Sequence, residues 1–304
     1  MKETTTYIAV ENEDMSRPSD RPEKSNWKIE LIKKGLGVLQ HASPKKSAEI
    51  IWHYFTLPGR TKFSEPQKEL LSRAEIIETS YKGDKIVAYR WGSNGPKVLL
   101  CHGWRSKIAD FRRMIDAFVE LGYVVEGIDM RAHGQSEGKH TALPEYRDII
   151  KNHYAQHGPY EAVVGYSLGG IASGMVLNEF SKVMHPKHFY LLAAPPYVRY
   201  FFRDIIDEIG CNEAVYDSMC DLVKSYYHQD IDYLDLRDKE ENLRHIKTHL
   251  MYCEDDEMVP FSKAQELEAA WPSASFVHAK GLGHYKIIAN SSIIKYITKT
   301  TKEK

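Results

Sequence analysis

The chain has 304 residues, 42% hydrophobic and 27% charged, with a net charge of −1. This is the balance of a globular protein with a sizeable core, in one large domain or two small ones, and it excludes an electrostatic case for nucleic acid or an anionic membrane as partner. Four scattered cysteines (Cys101, Cys211, Cys220, Cys253) form neither a disulfide framework nor a metal-type spacing and read as buried free thiols of a reducing, cytoplasmic compartment.

Residues 1–26 are polar, charged and proline-bearing; they read as a disordered tail without the apolar core of a leader peptide. No run of about 18 apolar residues follows, so no membrane insertion is expected. In "WKIELIKKGLGVLQ", Trp27, Leu31, Ile32, Leu36 and Leu39 stand near helical spacing. A second helix follows in "SPKKSAEIIWHYF", with Ser43 as N-cap, Pro44 in its first turn, and Ala48, Ile51, Trp52 and Phe55 on one face. These two helices head an N-terminal extension, residues 27–73, that could cover an edge of the main domain, form a homodimer contact or rest on a lipid surface; the first is the expectation.

From about residue 74 the pattern changes. "EIIETSY" and "DKIVAYRWG" read as a hairpin turning at "KGD", and six further strands follow: "KVLLC", "YVVEGID", "EAVVGY", "HFYLLAAP", "HIKTHLMYC" and "ASFVHAK". Helices are expected in "FRRMIDAFVELG", "LPEYRDIIKNHYAQHG", "LGGIASGMVLNEFSKV", "SKAQELEAAW" and "KIIANSSIIKYITK". The alternation predicts an α/β fold: a mostly parallel eight-stranded sheet, helices on both faces, and an antiparallel hairpin at one edge. Residues 197–245, polar-aromatic and mostly helical, interrupt it as an insertion.

In "VVGYSLGGIASG", Ser167 stands between Gly165 and Gly169 where a strand passes into a helix. With glycine and serine each near 7% of residues, G-x-S-x-G arises by chance about once in ten chains of this length, so the strand–turn–helix context carries the signal. A serine hydroxyl is a poor nucleophile near neutral pH; it needs a base, and the base needs an orienting acid. Of 14 histidines, His284 in "KGLGHYKII" follows a strand through a glycine-rich loop. His278 lies within a strand, and His153, His157 and His228 lie on helices, where a surface place is expected. The acid comes from "MYCEDDEMVPFS", which offers Glu254, Asp255, Asp256 and Glu257 after a strand.

With "CHGW" (101–104), "DMRAHGQS" (129–136), "GYSLGG" (165–170), "EDDEMVP" (254–260) and "GLGH" (281–284) in this order, the chain resembles the α/β-hydrolase family over residues 74–304. The resemblance implies a serine esterase- or lipase-like hydrolase with a helical cap at the insertion, an acyl substrate, and no metal or cofactor. It selects Asp256, four positions before Pro260, as the acid, with Asp255 the fallback. It assigns the oxyanion-hole N–H groups to Trp104 and Leu168. Thioesterase, amidase, acyltransferase or carbon–carbon hydrolase activity on the same triad, and a ligand sensor without turnover, stay open beside it. The aromatic-rich insertion supplies Tyr197 and Phe201 as substrate-contact candidates, with Tyr166 beside the serine. The chain departs from the family pattern at Ala132, where many relatives carry glycine, and at Cys253 or Glu254, where a glycine is usual. Related dehalogenases and epoxide hydrolases carry aspartate where Ser167 stands.

Overall fold

The computed structural model describes residues 5–10 and 27–303. Its strands are β1 (Thr6–Tyr7), β2 (Glu75–Tyr81), β3 (Asp84–Trp91), β4 (Lys97–Cys101), β5 (Val124–Asp129), β6 (Ala162–Tyr166), β7 (His188–Leu192), β8 (Lys247–Cys253) and β9 (Ser275–Ala279). Its helices are α1 (Trp27–Ala42), α2 (Pro44–Phe55), α3 (Glu65–Ser72), α4 (Arg112–Glu120), α5 (Leu143–His157), α6 (Leu168–Glu179), α7 (Arg199–Ile209), α8 (Glu213–Tyr227), α9 (Glu240–Leu243), α10 (Phe261–Ala270), α11 (Gly283–Lys286) and α12 (Ser291–Lys302). They fall into two units: residues 5–10, 58–196 and 236–303, and residues 27–57 and 197–235.

The larger unit is a sheet in the order β1-β9-β8-β7-β6-β4-β5-β3-β2, with helices on both faces. β4 through β9 pair in parallel, β3 pairs antiparallel with β5, and β5, β6 and β7 are buried throughout, as central parallel strands covered on both faces must be. β2 and β3 form the antiparallel hairpin, closed by Lys82 and Gly83 at φ 50° and 86°, the two left-handed residues of a primed two-residue turn. The sheet has nine strands where the sequence predicts eight. The ninth, β1, lies in the segment read as a disordered tail: Thr6 and Tyr7 pair with Val277 and His278, and Ile8 is buried. "TYIAV" is a short strand pattern hidden by its polar surroundings. Residues 1–4 and 11–26 of that tail lie outside the described residues.

The insertion closes earlier than predicted. Leu236 is buried in the larger unit, its N–H bonded to Pro196 O (2.8 Å) and its carbonyl accepting from Trp271 Nε1 (2.8 Å). The extension also divides. Residues 58–73 join the larger unit, where Ser64 N–H bonds to Gln67 Oε1 (3.0 Å) at the start of α3 and Trp91 Nε1 donates to Leu70 O (3.0 Å).

The smaller unit joins the N-terminal helices to the insertion. Ser43 Oγ accepts from Lys46 N–H at the start of α2, as its sequence predicts. The apolar face of α2 packs on insertion helices: the Trp52 ring lies 6.2 Å from Phe202 and 6.0 Å from Tyr226, and Phe55 lies 5.3 Å from Phe202. Gln40 ties α1 to the turn before α8, accepting from Asn212 N–H (2.6 Å) and donating to Gly210 O (3.3 Å). The side chains of Trp27, Leu31 and Ile32 lie outside the described residues.

Candidate active site

β6 delivers Ser167 to the corner where α6 begins. Its backbone takes φ 51° and ψ −122°, a left-handed conformation that costs a non-glycine residue about 1–3 kcal/mol. The chain around it tolerates no bulk. A Cβ on Gly165 would lie 2.5 Å from Gly170 Cα, and one on Gly169 would lie 2.4 Å from the carbonyl oxygens of Cys101 and His102. The strained serine is held from behind by its N–H bond to Leu192 O (2.9 Å).

His284 stands on the single turn α11, reached from β9 through Gly281 and Gly283. Its Nε2 lies 3.1 Å from Ser167 Oγ, and its Nδ1 lies 2.8 Å from Asp256 Oδ2. The other oxygen of Asp256 accepts from Met258 N–H (2.8 Å) and Val259 N–H (2.9 Å). A carboxylate that already accepts two backbone donors takes Nδ1–H as its third, which leaves the Nε2 lone pair facing the serine hydroxyl. Asp256 and His284 are both buried.

Asp255 turns elsewhere, although it is adjacent in sequence. Its Oδ1 accepts from Gly281 N–H (2.7 Å) and from the Cys253 thiol (2.9 Å). Burial opposes its charge, but these bonds outweigh burial and hold its carboxyl below the ordinary aspartate range.

The "HGW" loop runs beside the serine: a Cβ on Gly103 would come within 2.8 Å of Ser167 Cβ. His102 Nε2 accepts from Met130 N–H (3.0 Å), so its Nδ1 carries the proton toward Gly103 O (2.8 Å). His133 Nε2 accepts from Arg105 N–H (3.1 Å), and the half-buried Trp104 ring packs edge-on against it at 5.5 Å. Burial lowers the basicity of both His102 and His133. Leu168, the first residue of α6, stands where a helix leaves its N–H groups without intrahelical acceptors.

Asp129 anchors the "DMRAHGQS" loop. Its side chain accepts from Ile108 N–H (2.9 Å), Gln135 N–H (2.9 Å) and the Tyr89 hydroxyl (3.2 Å). Ala132 takes φ 65°, which gives the physical reason for the glycine that relatives carry there.

The substrate-contact candidates fare differently. Tyr166 is 2% exposed and its hydroxyl donates to His284 O (3.1 Å), so it braces the histidine from inside and lines no open surface. Tyr197 and Phe201 belong to the smaller unit, where both pack on the buried Tyr200, at 5.4 and 4.1 Å between ring centres. Met258 and Tyr285, beside Asp256 and His284, are exposed apolar side chains that the sequence reading did not select.

Other expectations need correcting. His153 is buried, with Nε2 2.9 Å from Glu126 Oε2; the Arg90, His153 and Tyr160 bonds hold the buried Glu126 carboxyl down at about 2 against the opposing effect of burial. Helical spacing could have found it, since Tyr146, Ile149, Ile150, His153 and Tyr154 form one buried face of α5. His278 is half-buried in β9, with Nδ1 2.9 Å from Glu254 Oε1. His228, at φ 54° where α8 ends, is exposed as expected. Cys101 and Cys253 are buried, but Cys211 and Cys220 are only half-buried. Among the described residues, no group of three or more His, Cys, Asp or Glu side chains is placed to hold a metal, and no helix is long and apolar enough to cross a membrane.

Comparison with known proteins agrees with this architecture. The alpha/beta hydrolase family model matches residues 98–290. The chain belongs to the alpha/beta hydrolase family. Human serine hydrolase-like protein is 30% identical over 105 residues, covering 33% of this chain and 51% of that one, and human serine hydrolase-like protein 2 is 30% identical over 33% of each. The hydrolase chain thus spans about half, or a third, of the curated relatives it matches. Its fold is similar to that of an esterase from Pyrococcus furiosus (TM-score 0.57, 18% identity, 81% of this chain and 96% of that one). It is likewise similar to the esterase RhEst1 from Rhodococcus (0.55, 16%, 76% and 99%) and to the thioesterase domain of the curacin biosynthetic pathway (0.53, 16%, 75% and 98%).

Proposed function

We propose that this alpha/beta hydrolase is a serine hydrolase that cleaves small to medium carboxylic esters through an acyl-enzyme. The observation that carries the reading is the continuous row from Ser167 Oγ through the His284 ring to Asp256, with the second carboxylate oxygen tied to two backbone N–H groups.

In this reading Ser167 Oγ attacks the ester carbonyl while His284 Nε2 takes its proton. The oxyanion is met by the backbone N–H groups of Leu168 and Trp104, each worth about 3 kcal/mol in comparable sites. His284 then returns the proton to the leaving alcohol as the carbon–oxygen bond breaks. Water, deprotonated by the same nitrogen, attacks the acyl-enzyme and releases the acid and Ser167. Asp256 keeps Nδ1 protonated throughout and stabilises the imidazolium. The exposed Met258 and Tyr285 beside the dyad favour an apolar acyl or alcohol group.

The row is indifferent to the leaving group. The likeness to a thioesterase domain favours thioesters as the second reading. Short-chain aryl esters, matched thioesters and an added nucleophilic acyl acceptor, assayed side by side, separate the readings. Ester turnover that is lost in Ser167→Ala is expected; ester turnover that survives in that variant overturns the proposal, and exclusive thioester turnover replaces it with the second reading.

A further inference from the structure

The adjacent carboxylates Asp255 and Asp256 bind different parts of one catalytic turn, and the difference has a use. Asp256 meets the ring of His284. Asp255 meets the backbone of the loop that carries this ring, through Gly281 N–H. Next in that loop, Leu282 N–H donates to Cys253 Sγ (3.3 Å), and the Cys253 thiol donates to Asp255 Oδ1 (2.9 Å). From the opposite side the Tyr166 hydroxyl, one residue before the nucleophile, donates to His284 O (3.1 Å).

This loop has little stiffness of its own. Gly281 and Gly283 sit at φ 90° and 55°, and α11 is one turn long. Yet the ring it carries must keep Nε2 within hydrogen-bond reach of a serine that is itself held rigidly. A displacement of about 1 Å at such a site can cost about 100-fold in rate.

We propose that Asp255, Cys253 and Tyr166 form a backbone clamp that sets His284 in register with Ser167, with Asp255 as its main positioning residue. The clamp rests on the serine-hydrolase reading for its catalytic consequence, though not for its geometry. It joins three elements at one point: the end of β8, the loop after β9, and the end of β6. Cys253 suits this place because burial pushes its thiol up to about 11, so it remains a neutral donor and acceptor. A glycine at position 253 could make neither bond.

The test compares Asp255→Ala with Asp255→Asn in the full chain, each rate normalised to the sites titrated by a fluorophosphonate. The clamp predicts that Asp255→Ala lowers kcat by about 10- to 100-fold with KM little changed. It predicts that Asp255→Asn recovers most of the loss, because the amide oxygen still accepts Gly281 N–H. Tyr166→Phe, which removes one oxygen, should lower kcat by a smaller factor and covers the case in which Asp255→Ala does not fold. A second readout needs no activity: the downfield proton signal of the His284 Nδ1–H···Asp256 bond should broaden or vanish in Asp255→Ala and persist in Asp255→Asn. Wild-type chain that neither labels nor turns over an ester, yet shows that signal behaving so, sinks the hydrolase reading and leaves the clamp standing. An unchanged kcat per site and an unchanged signal in folded Asp255→Ala, or equal losses in the Ala and Asn variants, overturn the clamp.

Discussion

Two aspartate–histidine clusters lie in the larger unit, and they differ in where the ring nitrogens point. Around Asp129, the acceptor nitrogens of His102 and His133 are both filled by backbone donors, Met130 N–H and Arg105 N–H. Asp129 is filled too, by the N–H groups of Ile108 and Gln135 and the hydroxyl of Tyr89. Around Asp256 the carboxylate is equally well satisfied, but the Nε2 lone pair of His284 meets a serine hydroxyl. The residue types are the same; one cluster ends in the main chain and the other in an ionisable hydroxyl. A buried Asp–His arrangement therefore points to chemistry only where its last acceptor is not already occupied by backbone.

The largest test of this contrast is His284→Ala. It should reduce kcat by about 10⁴-fold in a chain that still folds, measured by ester turnover beside denaturant unfolding. Turnover within tenfold of wild type would erase the distinction between the clusters. Asp129→Ala should do the reverse. It leaves two backbone N–H groups and a tyrosine hydroxyl buried without acceptors, each costing about 1–3 kcal/mol, so the midpoint of unfolding should fall steeply. A small shift would mean that water replaces the carboxylate.

The contrast extends to pH through His249, another buried histidine, whose Nδ1 meets the Tyr296 hydroxyl. Burial, helped by His188 and Lys247, lowers its pKa to about 4 from 6.5. Above pH 6.5 neither the folded nor the unfolded chain is charged there, and the group costs nothing. As pH falls from 6.5 towards 4, the unfolded chain binds a proton that the folded chain refuses, and stability is lost, by about 3 kcal/mol at the lower end. His249→Asn should flatten that acid limb in unfolding curves taken across the window; an unchanged slope would assign the limb to other groups. The smallest effect belongs to Ala132→Gly. Relief of the φ 65° backbone, partly offset by the added freedom of the unfolded chain, should stabilise by up to about 1 kcal/mol, read as a small rise in Tm. A fall in Tm would mean that the alanine methyl contributes packing that outweighs its strain.

What the sequence makes legible follows the range of the forces involved. All eight strands from β2 to β9 are visible as apolar runs bounded by turn residues, and the nucleophile turn is visible because Gly165, Ser167 and Gly169 act within five positions. The choice between Asp255 and Asp256 is not local. It depends on whether a carboxylate meets a ring from position 284 or an N–H from position 281, and residue type alone cannot separate them. The smaller unit is hidden for the same reason: Gln40 and Asn212 are 172 positions apart, and nothing in either helix names its partner. β1 and α3 are different, since both carry local signals: "TYIAV" is a short run rich in β-branched and aromatic residues, and Ser64 with Gln67 has the spacing of a helix start. The surface place expected for His153 from its helix overlooks its position in the apolar period of α5, which buries it.

The most direct measurement is the intact mass of the folded chain after exposure to a fluorophosphonate, followed by location of the adduct. The account predicts a single adduct, on Ser167, absent in Ser167→Ala and formed orders of magnitude more slowly in His284→Ala. A folded wild-type chain that takes up no adduct, or takes it up at another residue, would contradict it.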